Sequence, residues 1–518
     1  MRPTINTDHL VEENPFQRVG PERVQGMLAG YEVYPLHFLD NHPGFKETYT
    51  YTLQFNDVLD SDMLHEALCR LLNYGDWRKL GGRLRVAKLG NRETLEVHVP
   101  ITNNSDYKNV AYSHQVIRSN LREHPLGSLL PQPTGERGSI QEGADHFRDF
   151  SASPNVPKDF TGYLNGDVPI LSCHVICFND ATLVSLAWPH VIMDGTGLQV
   201  LLNCWSHMLA GRDNAVPPIL GARYDLLAHA SESGFSGTQK FELEAAGACT
   251  TVRLLFNVLC DQISGFFSSQ KPVNRTVYLP RRAVHKLRNQ ALAEIHRAIP
   301  AHEDKLWVSE CDVILAWFVH TAALCEPKPR PVTVFGAFDM RTRLPDFITK
   351  AGVYIQNMAW VLTTPINVET VTGSMGEVAL AYRQSIQEQT GQPQVVAMLR
   401  KLKHLSDAGK SGNAMAMFRG PPDALLYPAG NLSKLNFIRA ADFGCAVFRQ
   451  GDTSPNRRNP PGTCIYHHKG FWNENRVLKK GMFILGQDWN DNYWITGWGM
   501  PDFWRRIQES LDEMAPNH

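Results

Sequence analysis

The most constraining feature of this sequence is a short loop that stands between a strand pattern and a helix pattern. The loop, at 188–197, reads Trp-Pro-His-Val-Ile-Met-Asp-Gly-Thr-Gly. Before it, 168–178 and 182–188 are apolar and β-branched and predict a hairpin across Asn-Asp-Ala. After it, apolar residues recur at helical spacing over 198–209, and Gly211 follows as a stop signal. The loop therefore presents its side chains where a strand ends and a helix begins.

The rest of the chain alternates between strand-like and helix-like patterns, which favours a mixed α/β class. Residues 276–279 predict a strand, and 481–498 predict a pair of strands rich in aromatic residues. Residues 309–324 predict a helix that begins with a capping box at Ser309. Residues 451–462 contain three prolines and predict a long surface loop.

A chain of 518 residues has room for two or three domains with sizeable cores. Residues 216–272 contain a Pro-Pro pair and a Ser/Gly-rich stretch and show no clean strand pattern. We therefore divide the chain into an N-terminal lobe at 1–215, a crossover segment at 216–272 and a C-terminal lobe at 273–518.

Charge and cysteine content exclude several functional classes. The 51 Lys+Arg balance 52 Asp+Glu, so there is no electrostatic reason to expect nucleic acid or an anionic membrane as partner. The ten Cys are scattered without CxxC pairs, which is typical of reduced thiols and predicts no metal site. No apolar run approaches 18 residues. We expect a soluble, cytoplasmic, monomeric protein.

The chemistry of the loop centres on His190. A strand end delivers one imidazole to a cleft, and a histidine with a pKa near 6.5 can accept a proton at neutral pH. Gly195 and Gly197 allow a tight turn and a close approach of backbone. A purely structural interpretation is also open, in which His190 ends the strand and Asp194 caps the helix, a contribution of about 1 kcal/mol.

Further motifs follow the loop in the second half of the chain. Residues 309–316 read Ser-Glu-Cys-Asp-Val-Ile-Leu-Ala, with Ser309 and Asp312 at capping-box spacing. Residues 338–343 read Phe-Asp-Met-Arg-Thr-Arg, and 352–357 read Gly-Val-Tyr-Ile-Gln-Asn.

About 250 residues after His190, 431–444 reads Asn-Leu-Ser-Lys-Leu-Asn-Phe-Ile-Arg-Ala-Ala-Asp-Phe-Gly. Together with the loop, these patches resemble, in the right order, the BAHD family of HxxxD acyl-CoA-dependent acyltransferases in its fungal branch. The resemblance covers most of the chain. One departure stands at Cys445-Ala446, where the family continues Asp-Phe-Gly with Trp and Gly.

The resemblance implies a chloramphenicol-acetyltransferase-like fold of two lobes, each a mixed sheet flanked by helices, with an active-site channel between them. It implies that His190 is the general base and that Asp194 supports the site through an ion pair with Arg341 or Arg343. Asp442 and Gly444 are expected to hold the loop at the second motif.

By the same resemblance, four residues are expected on the substrate or CoA side of the site: Asn431, Ser433, Ser309 and Asp312.

The implied function is transfer of an acyl group, most simply acetyl, from acyl-CoA to a hydroxyl or amine of a small-molecule fungal secondary metabolite. Acyl-CoA is then a co-substrate, and no bound cofactor is expected. Two alternatives remain. The same scaffold can take its acyl donor from a carrier protein, in condensation or polyketide release, or it can be repurposed, for example as a cyclase.

Other residues are less informative. Cys445 is read as a packing residue and not a nucleophile. His467 and His468 have no ligand partner at metal spacing and are expected to be surface or strand histidines. The basic pairs 457–458 and 479–480 are expected to be solvated surface, with contact to CoA phosphates as the less favoured interpretation.

Overall fold

The computed structural model describes residues 27–28, 30–89, 92–101, 107–153, 156–233, 271–299, 306–410, 420–471 and 478–516. In the first half of the chain the strands and helices are β1 (Met27–Leu28), β2 (Tyr31–Pro35), β3 (Thr48–Phe55), β4 (Asp57–Leu59), α1 (Ser61–Leu71), β5 (Arg83–Leu89), β6 (Arg92–Pro100), β7 (Ala111–Val116), β8 (Ser139–Glu142), α2 (Arg148–Ser151), α3 (Phe160–Asn165), β9 (Ser172–Cys177), β10 (Thr182–Pro189), α4 (Gly195–Leu209) and α5 (Leu226–Glu232).

In the second half they are β11 (Val273–Leu279), α6 (Arg281–Ala298), α7 (Glu310–Leu324), β12 (Val332–Asp339), β13 (Ala359–Ile366), α8 (Val368–Gly373), α9 (Met375–Gln389), α10 (Gln392–Asp407), β14 (Leu425–Asn431), α11 (Phe437–Ala440), β15 (Val447–Gln450), β16 (Cys464–Phe471), β17 (Gly481–Gln487), β18 (Tyr493–Gly499) and α12 (Pro501–Met514).

Two large mixed sheets organise the molecule. The first has strand order β16-β3-β10-β9-β7, and the second has strand order β13-β12-β14-β17-β18-β11-β8. Each sheet combines antiparallel pairs with parallel ones, such as β7 with β9 and β12 with β14. A four-stranded sheet β1-β2-β6-β5 and a two-stranded ribbon β15-β4 complete the strands. Helices α1 and α4 belong to the core of the first sheet, and α6, α7 and α9 belong to that of the second.

The two large sheets exchange strands. β16, from late in the chain, lies at the edge of the first sheet and pairs antiparallel with β3 over Cys464–Phe471. β8, from early in the chain, lies at the edge of the second sheet and pairs with β11. The sheets are thus linked by hydrogen-bonded strands as well as by chain connections. The division into 1–215, 216–272 and 273–518 stays a prediction.

The local signals around the loop produce the expected elements. Asp194 caps α4, its carboxylate accepting from the Gly197 N–H at 3.0 Å. Leu198, Leu201 and Leu202 are buried as the periodicity requires, and Gly211 adopts φ +65, a left-handed conformation that ends the helix. The Ser309 capping box is present at the start of α7.

The first strand of the expected hairpin is shorter than predicted. It begins at Ser172 and not at 168, because Pro169 has no N–H to donate to a neighbouring strand. Residues 451–462 contain neither helix nor strand, as expected. Of the crossover segment, 216–233 is described and carries α5, while 234–270 lies outside the described residues. Among the helices described, none is both long and apolar enough to cross a membrane.

Candidate active site

His190 is the first residue after β10, and backbone hydrogen bonds hold it on both sides. Its N–H donates to the carbonyl oxygen of Glu47 at 2.8 Å. Its own carbonyl oxygen accepts from the side-chain amide of Asn357 at 2.9 Å. The first contact lies at the start of the neighbouring strand β3, and the second comes from the C-terminal half of the chain. His190 therefore sits where the two halves of the chain meet.

The loop that follows orients the imidazole. Nδ1 lies 3.1 Å from the carbonyl oxygen of Met193, and since a carbonyl only accepts, Nδ1 carries the proton. The neutral ring then keeps a lone pair on Nε2. Tyr49 packs against the ring with centroids 4.1 Å apart, and Phe45 meets it edge-on at 4.7 Å. This tautomer is the one that a general base requires.

The electrostatics of the site favour the neutral imidazole. Burial, followed by the positive charge of Lys469, lowers the pKa of His190 to about 3, while its hydrogen bond to Met193 acts in the opposite direction. Because this value lies well below physiological pH, the ring is neutral in the free protein, and its Nε2 can accept a proton.

The Asp194 carboxylate forms a buried ion pair with Arg341. Arg341 donates to its two carboxylate oxygens at 3.0 and 3.1 Å, and both side chains are less than 10% exposed. The N–H of Met358 donates to the same carboxylate at 2.9 Å. With the α4 cap, these contacts occupy both oxygens. Asp194 therefore fixes the loop, and nothing in this geometry directs it to transfer protons.

Of the two arginines considered as partners of Asp194, Arg341 forms the pair. Its guanidinium also donates to the carbonyl oxygens of Tyr354 and Gln356, at 3.0 and 2.6 Å. Arg343 ends the same short turn, where its backbone N–H donates to Met340. The pair ties the loop after β10 to the end of β12 in the other large sheet.

Gly195 and Gly197 allow the loop to pack closely against neighbouring residues. A Cβ on Gly197 would lie 2.4 Å from the backbone oxygen of Ile355, and one on Gly195 would lie 2.7 Å from Leu435 Cδ1. The first neighbour is backbone and the second is the end of a flexible side chain. Gly197 is therefore the stricter requirement.

A second turn approaches the loop from the C-terminal half. Asn431 ends β14, and its Oδ1 accepts from the N–H and hydroxyl of Ser433 at 3.0 and 2.6 Å. The Ser433 hydroxyl lies 3.4 Å from Cys311 Sγ in the first turn of α7. Through Leu435, this turn reaches the start of α4. The structure thus brings together Asn431, Ser433 and the beginning of α7.

Ser309 and Asp312 bind each other and the helix they open. The Asp312 carboxylate accepts from the backbone N–H and the hydroxyl of Ser309, both at 2.7 Å, and from Arg383 Nε at 2.8 Å. Their polar atoms are engaged within the protein, so the contacts of Ser309 and Asp312 in this structure are structural, and their contact with substrate or CoA stays a prediction.

The second motif forms a turn that faces solvent. The Asp442 carboxylate accepts from the Gly444 N–H at 3.2 Å, and the Asp442 N–H donates to Ser206 at 3.0 Å. Phe443 is buried between Phe55 and Trp205. Cys445 is exposed. The turn docks on α4 through its aromatic side chain, with the thiol directed outward.

Two groups near His190 were missed by the sequence interpretation, the buried carboxyl group of Asp40 and the partly buried amine of Lys469. Asp40 is buried and accepts from the N–H and the side-chain amide of Asn357, both at 2.9 Å. Burial raises its pKa, against the opposing charge of Lys79. Lys469, on β16, places its Nζ 3.5 Å from the ring centre of Tyr49. A carboxylate within the apolar run Leu-His-Phe-Leu-Asp was the only sequence signal for Asp40.

The remaining candidates have structural surroundings. His467 and His468 are buried strand residues of β16, which excludes the surface alternative. Arg457 forms a bidentate ion pair with Asp57 at 2.7 and 2.5 Å, and Lys480 pairs with Glu326. Both side chains are largely buried, so the prediction of solvated surface is wrong for these two residues. Within the described ranges, no three His, Cys, Asp or Glu side chains group as metal ligands.

A surface cavity of about 630 Å³ lies at the N-terminal end of α6. Its lining includes Arg281, Arg282 and His285, together with Asn490 and Asn492 from the β17–β18 turn. His285 lies 3.6 Å from Glu310, the residue before Cys311. Contacts through Glu310 and its neighbour Cys311 therefore link the lining of the cavity to the turn at Ser433.

Comparisons with known proteins agree with this arrangement. The chain is 33% identical over 494 residues to O-acetyltransferase PaAT-2 of Phomopsis amygdali, covering 93% of this chain and 98% of that protein. It is 30% identical over 498 residues to the acetyltransferase pyiB of Pyricularia grisea, covering 94% and 95%. A comparison with models of protein families returns no match.

Among solved structures, F. graminearum TRI101 in complex with coenzyme A and deoxynivalenol superposes with a TM-score of 0.63 at 11% identity. The superposition covers 92% of this chain and 97% of that one. The relatedness extends over nearly the whole chain and both large sheets. This protein therefore belongs to the BAHD-type acyltransferases, in their fungal branch, and has their two-lobed chloramphenicol-acetyltransferase-like fold.

Proposed function

We propose that this protein transfers an acetyl group from acetyl-CoA to a hydroxyl group of a small-molecule secondary metabolite. The observation that carries this proposal is the orientation of His190, whose Nδ1 lies 3.1 Å from the Met193 carbonyl oxygen while Nε2 keeps a lone pair. The names of the relatives, an O-acetyltransferase and an acetyltransferase, support the acyl group and the oxygen acceptor. TRI101, solved with coenzyme A, supports the donor.

In the proposed reaction, Nε2 of His190 removes the proton of the acceptor hydroxyl as its oxygen attacks the thioester carbonyl. The tetrahedral intermediate then collapses, the C–S bond breaks, and the imidazolium returns the proton to the CoA thiolate. The low pKa of His190 keeps the base unprotonated before the reaction starts. No acyl-enzyme is required, because both substrates are held at once.

We place the nucleotide part of CoA at the cavity beside α6. Arg281, Arg282 and His285 line it, and arginine guanidinium groups match phosphate oxygens well. From there the pantetheine arm would pass Cys311 and Ser433 and reach His190 alongside Leu435. An Arg282→Ala variant should then raise the KM for acetyl-CoA in a salt-dependent manner. Arg505→Ala, on the exposed face of α12, is the matched control and should leave KM unchanged.

The first test measures binding of the donor without knowledge of the acceptor. A ligand at 100 times its Kd stabilises the folded state by about 2.7 kcal/mol, so CoA and acetyl-CoA should raise Tm by a few degrees. If neither ligand at millimolar concentration moves Tm, the CoA-dependent function is wrong. A carrier-protein donor, which the lack of a CoA site would favour, and a repurposed site, which the altered 442–446 motif favours, then become the candidates.

The second test addresses the chemistry. With an accepted alcohol, His190→Ala should lower kcat by about 10²–10⁴-fold and leave acetyl-CoA binding intact. His207→Ala, in the last turn of the following helix, is the control and should retain activity. Acetylation of amines but not of alcohols, which gives amides in place of esters, would overturn the choice of oxygen as acceptor. Monomeric state and cytoplasmic location remain predictions.

A further inference from the structure

Lys469 is an amine placed beside the catalytic base, and the proposed mechanism does not use it. Its Nζ lies 3.5 Å from the ring centre of Tyr49, and the same ring packs on His190 with centroids 4.1 Å apart. Nζ is also 5.2 Å from the ring centre of Phe483 on β17, in the other large sheet. The lysine thus points into the space between the two sheets.

The surroundings of Lys469 weaken its positive charge. Burial lowers its pKa to about 7, while the carboxylate of Glu47 acts in the opposite direction. An ordinary lysine has a pKa near 10.4, so its uncharged fraction at neutral pH is roughly a thousandth or less. At a pKa of about 7, roughly half of the amine is uncharged and nucleophilic.

We propose that Lys469 is a self-acylation site, where the protein transfers an acyl group from bound acyl-CoA to its own Nζ when no acceptor occupies the channel. This inference rests on the proposed function, because it needs a thioester bound next to His190. The acceptor hydroxyl and Lys469 compete for the same carbonyl carbon.

The step is balanced with the groups present. The uncharged Nζ attacks the thioester carbonyl, an N–C bond forms, and the C–S bond breaks. His190 takes the proton from the new amide nitrogen and passes it to the CoA thiolate, which leaves as the thiol. The product is an acetamide at Lys469, which no longer carries a charge beside the imidazole.

The experiment incubates the purified full-length protein with acetyl-CoA and no acceptor, and follows it by intact-protein and peptide mass spectrometry. We expect one acetyl group per molecule at Lys469, forming faster above the pKa of Lys469 than below it. Lys46 is the reference, since it is exposed and lies over Phe160 and not beside the base. Lys469 should react at least about tenfold faster than Lys46, because its amine lies beside His190 and is roughly half uncharged at neutral pH.

Two variants separate the proposal from general surface acetylation. Lys469→Arg should abolish the modification, and Lys46→Arg should leave it unchanged. His190→Ala should slow it at unchanged acetyl-CoA binding. If Lys469→Arg does not fold, peptide mapping of the wild-type protein decides alone.

The outcomes distinguish the two proposals. If acetyl-CoA raises Tm but Lys469 is unmodified, or is modified no faster than Lys46, self-acylation is wrong and the proposed function stands. If acetyl-CoA does not bind at all, both proposals fail together. A rate that is equal in wild type and His190→Ala would overturn the role of the base in this step.

Discussion

Arg341 and Asp194 form a buried bidentate ion pair that joins residues 147 positions apart in the chain. The arginine comes from the end of β12 and the aspartate from the loop after β10, so the pair connects the two large sheets four residues after His190. The ion pair holds the loop in place, and the Met193 carbonyl oxygen of that loop orients the imidazole of His190.

Removing Asp194 should destabilise the protein strongly. Asp194→Ala leaves the buried Arg341 guanidinium with Asp339 as its remaining carboxylate. It also deprives the N–H groups of Met358 and Gly197 of their acceptor, at about 1–3 kcal/mol for each unsatisfied buried donor. Urea unfolding at neutral pH measures this loss. Asp407→Ala is the matched control, since its pair with Lys403 is on the surface and contributes about 0–1 kcal/mol. An Asp194→Ala variant as stable as the control would show that the pair does not hold the loop.

On the acid limb of the activity profile, kcat/KM should fall only at a pH far below the pKa of an ordinary histidine. Because the pKa of His190 is about 3 in the free protein, kcat/KM should not fall as pH decreases from 7 to 5. Lys469→Met removes the neighbouring positive charge and should move this limb to higher pH. The limb should still remain below 6.5, since burial is the larger cause. A wild-type limb near 6.5 would contradict the buried, neutral base.

His468 should make the fold sensitive to acid. Burial lowers the pKa of His468 to about 4. Between about pH 6.5 and pH 4 the imidazole is therefore protonated in the unfolded chain and neutral in the folded one. Stability therefore falls as pH decreases through this window, by up to about 1.36 kcal/mol per pH unit for each such group. His467 adds to the effect, with a pKa of about 3.

His468→Phe tests this contribution. Within the described residues neither ring nitrogen of His468 has a hydrogen-bond partner, so an apolar ring should be tolerated at neutral pH. The free energy of unfolding should then depend less steeply on pH between 4 and 6.5. An equal slope in His468→Phe and wild type would show that burial does not lower the pKa of His468.

The two loop glycines should differ in their tolerance of alanine. In Gly197→Ala the new methyl would lie 2.4 Å from the Ile355 carbonyl oxygen, so backbone has to shift, at a cost of about 1–3 kcal/mol. In Gly195→Ala it meets the end of Leu435, which can rotate away. We expect Gly197→Ala to have the lower Tm and the lower kcat of the two variants, and thermal unfolding and kinetics measured on both check this. The reverse order would mean that the Ile355 segment yields more easily than the Leu435 side chain.

The sequence contained enough to find the loop but not its surroundings. His190, Asp194 and α4 were predictable because strand, cap and helix signals are local and contiguous. The choice between Arg341 and Arg343 was not, since it depends on how β12 meets β10. The position of Lys469 could not be predicted for a similar reason. It lies at the site because β16 pairs with β3, more than 400 residues away in the chain. The periodicity of the sequence carries no information about such a pairing.

The exchange of β16 and β8 has a consequence during synthesis. β3 leaves the ribosome early, but the strand that covers its edge is translated roughly 400 residues later, at 5–20 residues per second an interval on the order of a minute. Throughout that interval an apolar sheet edge is open to pairing with other chains. We therefore expect fragments that end before β16 to aggregate, and the yield of the native protein to depend on chaperones that shield nascent β3.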